Sequence, residues 1–178
     1  MSNLELTVSR EQVTSFLKDE FEDYMIDSQR DRPTWGVDNY SGNILGMTIV
    51  RVGNWRKFLP LPEEIRNYFN KVISLGIYFE QSLSEIIGSN PFKDKEKGAN
   101  EHYDVLVKLV GIYNRGLELE QQNPDIPELK TLNVCLKRQV IITNILFDPE
   151  KRDWKFRHLM WSEPQEFMKY IDVIGNNC

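Results

Sequence analysis

Three stretches of helical apolar periodicity, residues 62–88, 100–122 and 126–147, follow one another with only short breaks, and they constrain the fold more than anything else in the chain. In the first, Ile65, Phe69, Val72, Phe79, Leu83 and Ile86 recur at steps of three, four and seven, the spacing that puts side chains on one helical face. Ile73, Leu75 and Ile77 widen that stripe, so this helix calls for neighbours on more than one side. Pro62, Glu63 and Glu64 suit an amide-rich helix start, and Gly88 suits its end. The second stretch carries Tyr103, Leu106, Leu109, Val110, Tyr113 and Leu117. "NPDIPE" then breaks the chain, with Asp125 and Glu128 spaced as a cap and its partner before the third helix. Residues 140–147 of that helix are again apolar nearly all round, which fits either a central packed helix or an interface. Short connections between long helices predict antiparallel neighbours.

The chain before residue 62 is less uniform. "LELTV" (4–8) alternates Leu4, Leu6 and Val8 with polar residues, the period of a half-buried strand. Ser9 and Gln12 form a capping-box pattern at the start of an expected helix over 9–28, which carries Val13, Phe16, Leu17, Phe21, Tyr24 and Met25. Residues 30–60 hold Pro33, four glycines and β-forming runs parted by "SGN" and "GN", a hairpin signal. They predict a small antiparallel β-meander over 35–59, which the strand 4–8 could join. A glycine-broken helix over 43–58 is the competing reading. After Asp148-Pro149-Glu150, "KRDWKFRHLMW" (151–161) sorts Trp154 inward as a strand or as a helix. Ser162 to Gln165 then resembles another capping box, ahead of a last helix with Phe167, Met168, Ile171 and Ile174. "SNPFKDKEKGAN" reads as a charged connection. The expected architecture is mainly α: one domain over 1–178, a bundle of four to five helices, with the β element inserted between helix 9–28 and helix 62–88.

Composition closes off several functions. A net charge of -5 disfavours a general polyanion binder, because affinity for nucleic acid grows with the phosphates neutralised. Two cysteines cannot make a disulfide framework; Cys135 falls among Leu132, Leu136 and Val140 as a small buried hydrophobe, and Cys178 ends a polar tail. The N-terminus has neither a basic nor an apolar targeting region, and "VIITNILF" is far too short to span a bilayer, so a cytoplasmic location without a membrane partner is the expectation. The two histidines, His102 and His158, make no metal-ligand spacing, and there is no phosphate loop, dinucleotide fingerprint or nucleophile elbow. No metal, no cofactor and no catalytic residue is therefore assigned.

What remains is aromatic–basic interleaving. No acid occurs between Asp38 and Glu63, and in that window Trp55 and Phe58 stand beside Arg51, Arg56 and Lys57. Lys155 and Arg157 repeat the pattern in 151–161, where neighbouring acids offset the charge. Trp, Tyr and Arg dominate protein-binding hot spots, and the same residues can stack on bases while contacting phosphates. The sequence thus suggests a non-enzymatic interaction protein, an adaptor or small subunit of a larger assembly, binding a protein partner through Arg51, Trp55, Arg56, Lys57, Phe58, Lys155 and Arg157. An accessory subunit contacting nucleic acid through those residues is the alternative, and an enzyme with a dispersed carboxylate site is the second.

Overall fold

The computed structural model describes residues 3–20, 43–87, 94–152 and 164–176. Within them the chain is mainly helical: α1 (Arg10–Ser15), a π-helical turn (Phe16–Glu20), α2 (Asn43–Phe58), α3 (Glu63–Ile87), α4 (Lys95–Gln122), α5 (Pro127–Phe147) and α6 (Pro164–Asn176). Helices α2 to α5 close a ring, because α2 packs on both α3 and α5, α3 on α4, and α4 on α5. The short α1 and the π turn lie against α4, and α6 lies against α5.

Cross-helix bonds show the antiparallel register that the short connections predict. The Tyr68 hydroxyl donates to the Ile112 carbonyl, and Ser82 Oγ, fourteen residues further along α3, donates to Gly98, fourteen residues back along α4. Between α4 and α5, Asn133 Nδ2 donates to the Gly116 carbonyl at 3.0 Å, while His102 meets Phe147 near the other end. Gly116 stands at a close approach of three helices. A methyl group there would collide with Asn133 Oδ1 and the Tyr68 hydroxyl, so the missing side chain lets α3 and α5 both close on α4.

The expected meander is not seen: residues 35–42 of it lie outside the described residues, among the described residues there are no strands, and 43–58 is the helix α2. Its inward residues, Thr48, Val52 and the half-buried Trp55, are spaced at four and three, with Ile49 beside them. Gly53, half of the supposed hairpin signal, sits where an added Cβ would meet nothing. Tertiary burial of one face overrode the β preference of the run, which expresses fit to a pleated surface more than a backbone preference. The turn into α3 is held by Arg66, whose guanidinium donates to the carbonyls of Arg56, Leu59 and Leu61 at 3.1–3.2 Å. One carbonyl of the last turn of α2 and two of the connection that follows thereby gain a cationic donor.

The alternation of 4–8 is present without a strand. Leu4 and Val8 are buried, Leu6 is half-buried, and Glu5 and Thr7 face out. Two asparagine carboxamides replace the neighbouring strand. Asn114 of α4 accepts from Leu4 N and donates to Leu4 O, both at 3.3 Å; Asn144 of α5 accepts from Thr7 N and donates to Glu5 O, both at 2.9 Å. A side-chain amide offers the same donor and acceptor as a peptide group, so it satisfies an extended segment as a ladder does.

Helix ends follow local chemistry. Ser9 and Gln12 make the predicted capping box, Gln12 N donating to Ser9 Oγ at 3.1 Å and Ser9 N to Gln12 Oε1 at 2.7 Å. The π turn that follows seats the adjacent Phe16 and Leu17 in the core together; residues 21–28 of the expected helix lie outside the described residues. The charged connection before α4 is shorter than its composition suggests, since Asp94 caps a helix beginning at Lys95 by accepting from Glu96 N and Lys97 N. Asp125 does not cap α5; Ile126 holds that position with no side-chain bond, and Pro127 opens the helix. Cys135 is half-buried, so it is less enclosed than its apolar neighbours suggest.

The core includes one polar residue with an unusual setting. His102 is fully buried between Phe79 and Phe147, at ring distances of 4.5 and 5.7 Å. Neither of its ring nitrogens has a hydrogen-bond partner among the described residues. Burial lowers its pKa from 6.5 to about 3, so it is a neutral core ring.

Candidate partner-binding face

The predicted residues separate into two groups once α2 exists. Trp55 turns inward, its ring centroid 6.0 Å from that of Phe69. Arg51 and Lys57 stay exposed, and Lys57 Nζ lies 5.3 Å from the centre of the Phe58 ring. Phe58 is 72% exposed and Val50 65%, so the outward side of α2 carries two apolar residues among cations. Arg56 reaches sideways, donating to Asn70 Oδ1 on α3 at 2.8 Å. Lys155 and Arg157, together with the strand-or-helix question over 153–161, lie outside the described residues.

Asn70 is where the α2 face meets a larger feature. It lines an open groove of about 1090 Å³ between α3 and α4. Leu75, Ile112 and Leu119 give the groove apolar contact, and Tyr68 and Tyr78 add rings. Gly111 lies on its α4 side, where an added Cβ would meet nothing within 4 Å. From Glu63 to Tyr78 the groove runs about 22 Å at 1.5 Å per helical residue.

Charge is unevenly placed along it. At one end Arg115 donates to Glu64 at 2.7 Å across the groove and to Glu118 at 2.8 Å along its own helix, with Glu63 beside them. The Glu118 bond first, and the charges of Glu118 and Glu64 after it, hold Arg115 above the ordinary arginine range. Burial pushes the Tyr68 hydroxyl well up, offset in part by Arg115, so it remains a neutral donor. Seven residues beyond Glu64 stands Lys71, and seven before Arg115 stands Lys108, both lining the groove. Seven residues are nearly two full turns, so these lysines hold the positions of the Glu64–Arg115 pair, with like charge on both sides.

Beyond the groove, exposed apolar side chains include Ile77 (46%) next to Tyr78 on α3, and Tyr170 and Val173 on α6. Among the described residues no three His, Cys, Asp or Glu side chains gather where they could hold a metal ion, and no helix is long and apolar enough to cross a membrane. The sequence pattern pointed to α2 and missed Lys71, Lys108, Tyr78 and Gly111. Their signal was the seven-residue step that relates Lys71 to Glu64 and Lys108 to Arg115. It becomes meaningful only when α3 and α4 are placed in register. No protein-family model, curated protein or solved structure matches the chain.

Proposed function

We propose that this chain is a non-enzymatic interaction protein, an adaptor or small subunit of a larger assembly, and that it docks a protein partner on the face formed by α2, α3 and α4. The observation that carries this reading is the open groove, with apolar contact and a charged rim, continuous through Asn70 and Arg56 with the exposed Phe58. Exposed aromatic and apolar residues rimmed by charge are the anatomy of a docking patch, with Phe58 and Tyr78 as anchors and Arg51, Lys57, Lys71 and Lys108 as steering charges. Trp55 supports the helix from beneath, through Phe69, and is not an anchor.

Light scattering on the protein purified from its own source, with quantification of whatever co-elutes, tests the reading. A partner at fixed stoichiometry is expected, and its amount should fall at least tenfold on Phe58→Ser combined with Tyr78→Ser. A strictly monomeric protein with no stoichiometric companion would overturn it.

A further inference from the structure

The groove also says what kind of segment it takes, an inference that rests on the protein-docking reading above. Glu64 and Arg115 neutralise each other across one end, 2.7 Å apart. Lys71 and Lys108 face each other from the equivalent positions two turns on, and neither has an ion-pair partner among the described residues. Two facing lysines repel mildly and leave six N–H donors to water, where a single Glu would have closed the pair. Nothing among the described residues requires them: the positions are exposed, and the basic charge lies far from the C-terminal turn of α3, where a helix dipole would favour it. At the Glu64–Arg115 end, Glu63, Glu64 and the neighbouring Glu118 outnumber Arg115. The groove is therefore acidic at one end and basic about 10 Å further on, with apolar contact between and an open floor at Gly111.

We propose that the α3–α4 groove seats an amphipathic helix of a protein partner. One carboxylate of that helix lies between Lys71 and Lys108. A cation seven residues away lies at Glu63 and Glu64; apolar side chains between the two charges rest on Tyr68 and Ile112, and those beyond the carboxylate rest on Leu75 and Tyr78. A helix fits the groove because its own seven-residue step repeats the spacing of the two charged sites on one face. The mode is helix-in-groove recognition, in which apolar anchors provide contact area and the charges fix register.

The test is site-specific photo-crosslinking with the full chain in extract of its source cells. A benzophenone side chain replaces Gly111, where there is room, or, in a second protein, Phe58. Mapping the crosslinked peptide from the Gly111 position should give a segment with helical apolar periodicity and with acidic and basic residues seven apart. Lys71→Glu with Lys108→Glu should reduce that crosslink at least tenfold, and replacing the partner's acidic residue by Lys should restore it in the charge-reversed protein. The proposal is overturned if the yield changes less than twofold on charge reversal, if the label falls on a second copy of this chain, or if the captured segment lacks the carboxylate. Capture from Phe58 but not from Gly111 would sink the groove assignment and leave the docking reading standing. Capture from neither would sink both.

Discussion

Helices α3 and α5 have similarly wide apolar surfaces, yet the fold treats them differently. In α5, Gln139 to Phe147 are buried except for the half-buried Asn144, whose amide is occupied in holding the N-terminal segment. It reaches that state because α2, α4, α6 and residues 4–8 all lie against it. Helix α3 receives α2 and α4, and buries Ile65, Phe69, Val72 and Phe79, but leaves Ile77 and Tyr78 exposed. Apolar width therefore sets how many neighbours a helix calls for, and among the described residues α5 has them on every side while α3 has one fewer. On α5 the wide stripe is core. On α3 its outer part is surface, and that is why the candidate site lies there.

The sharpest way to break this contrast is to truncate one side chain on each helix. Leu146→Ala on α5 removes a buried side chain from a fully surrounded site and should cost about 2–5 kcal/mol in denaturant unfolding. Tyr78→Ala, at a ring 37% exposed on α3, should cost clearly less, on the order of 1 kcal/mol. Equal costs would mean that Tyr78 belongs to the core and that α3 is covered as α5 is.

Acid should probe the aromatic layer that joins the ends of α3, α4 and α5. His102 is neutral in the folded protein because burial lowers its pKa to about 3, while in the unfolded chain it takes up a proton near the ordinary 6.5. The unfolded state therefore binds more protons between those two values, so stability is full above about pH 6.5 and falls as pH drops toward 3. At pH 4.5 the loss from this one residue approaches roughly 2–3 kcal/mol, since each pKa unit is worth about 1.4 kcal/mol. Unfolding measured from pH 7.5 to 4.5 should show a shallower slope for His102→Leu than for the native protein. Parallel slopes would mean that the ring is reached by water.

Gly116 tests how closely α4 holds both contrasted helices. Gly116→Ala places a methyl against Tyr68 from α3 and Asn133 from α5, and overpacking of this kind costs about 1–3 kcal/mol. A neutral or stabilising outcome, as helix propensity alone would give, would show that the three helices are not in contact there.

How much of this was legible in the sequence depended on whether the deciding partner was near in the chain. The Ser9–Gln12 capping box, the helical stretches after Pro62 and the alternation of 4–8 are set by residues within a few positions, and each is present. The strand assigned to 4–8 failed because alternation reports only which side is buried, and two asparagines more than 100 residues away supply the bonds. The meander failed for the related reason that Val, Ile and Thr at 48–52 are compatible with either period, and packing on α3 and α5 chose the helix. Of the candidate site, Arg51, Lys57 and Phe58 were readable as an exposed cluster. The half-buried setting of Trp55 was not readable because it depends on Phe69 of α3, and the facing lysines were invisible because they are 37 positions apart (Lys71 to Lys108) on different helices.

The smallest expected effect bears most directly on why α3 is left open. If Lys71 and Lys108 hold the same relation as Glu64 and Arg115, then Lys71→Glu should convert repulsion into an ion pair and stabilise the protein by on the order of 0.5 kcal/mol. The gain should shrink in concentrated salt, because exposed charges are screened, and it should vanish in combination with Lys108→Ala. A double-mutant cycle at low and high ionic strength measures both. No coupling between the two positions would mean that they do not face each other across the groove. A clear coupling would mean that, among the described residues, the native chain forgoes a stabilising pair that a single substitution could make, so that the two lysines stand as like charges beside the exposed apolar side of α3 at a cost to stability.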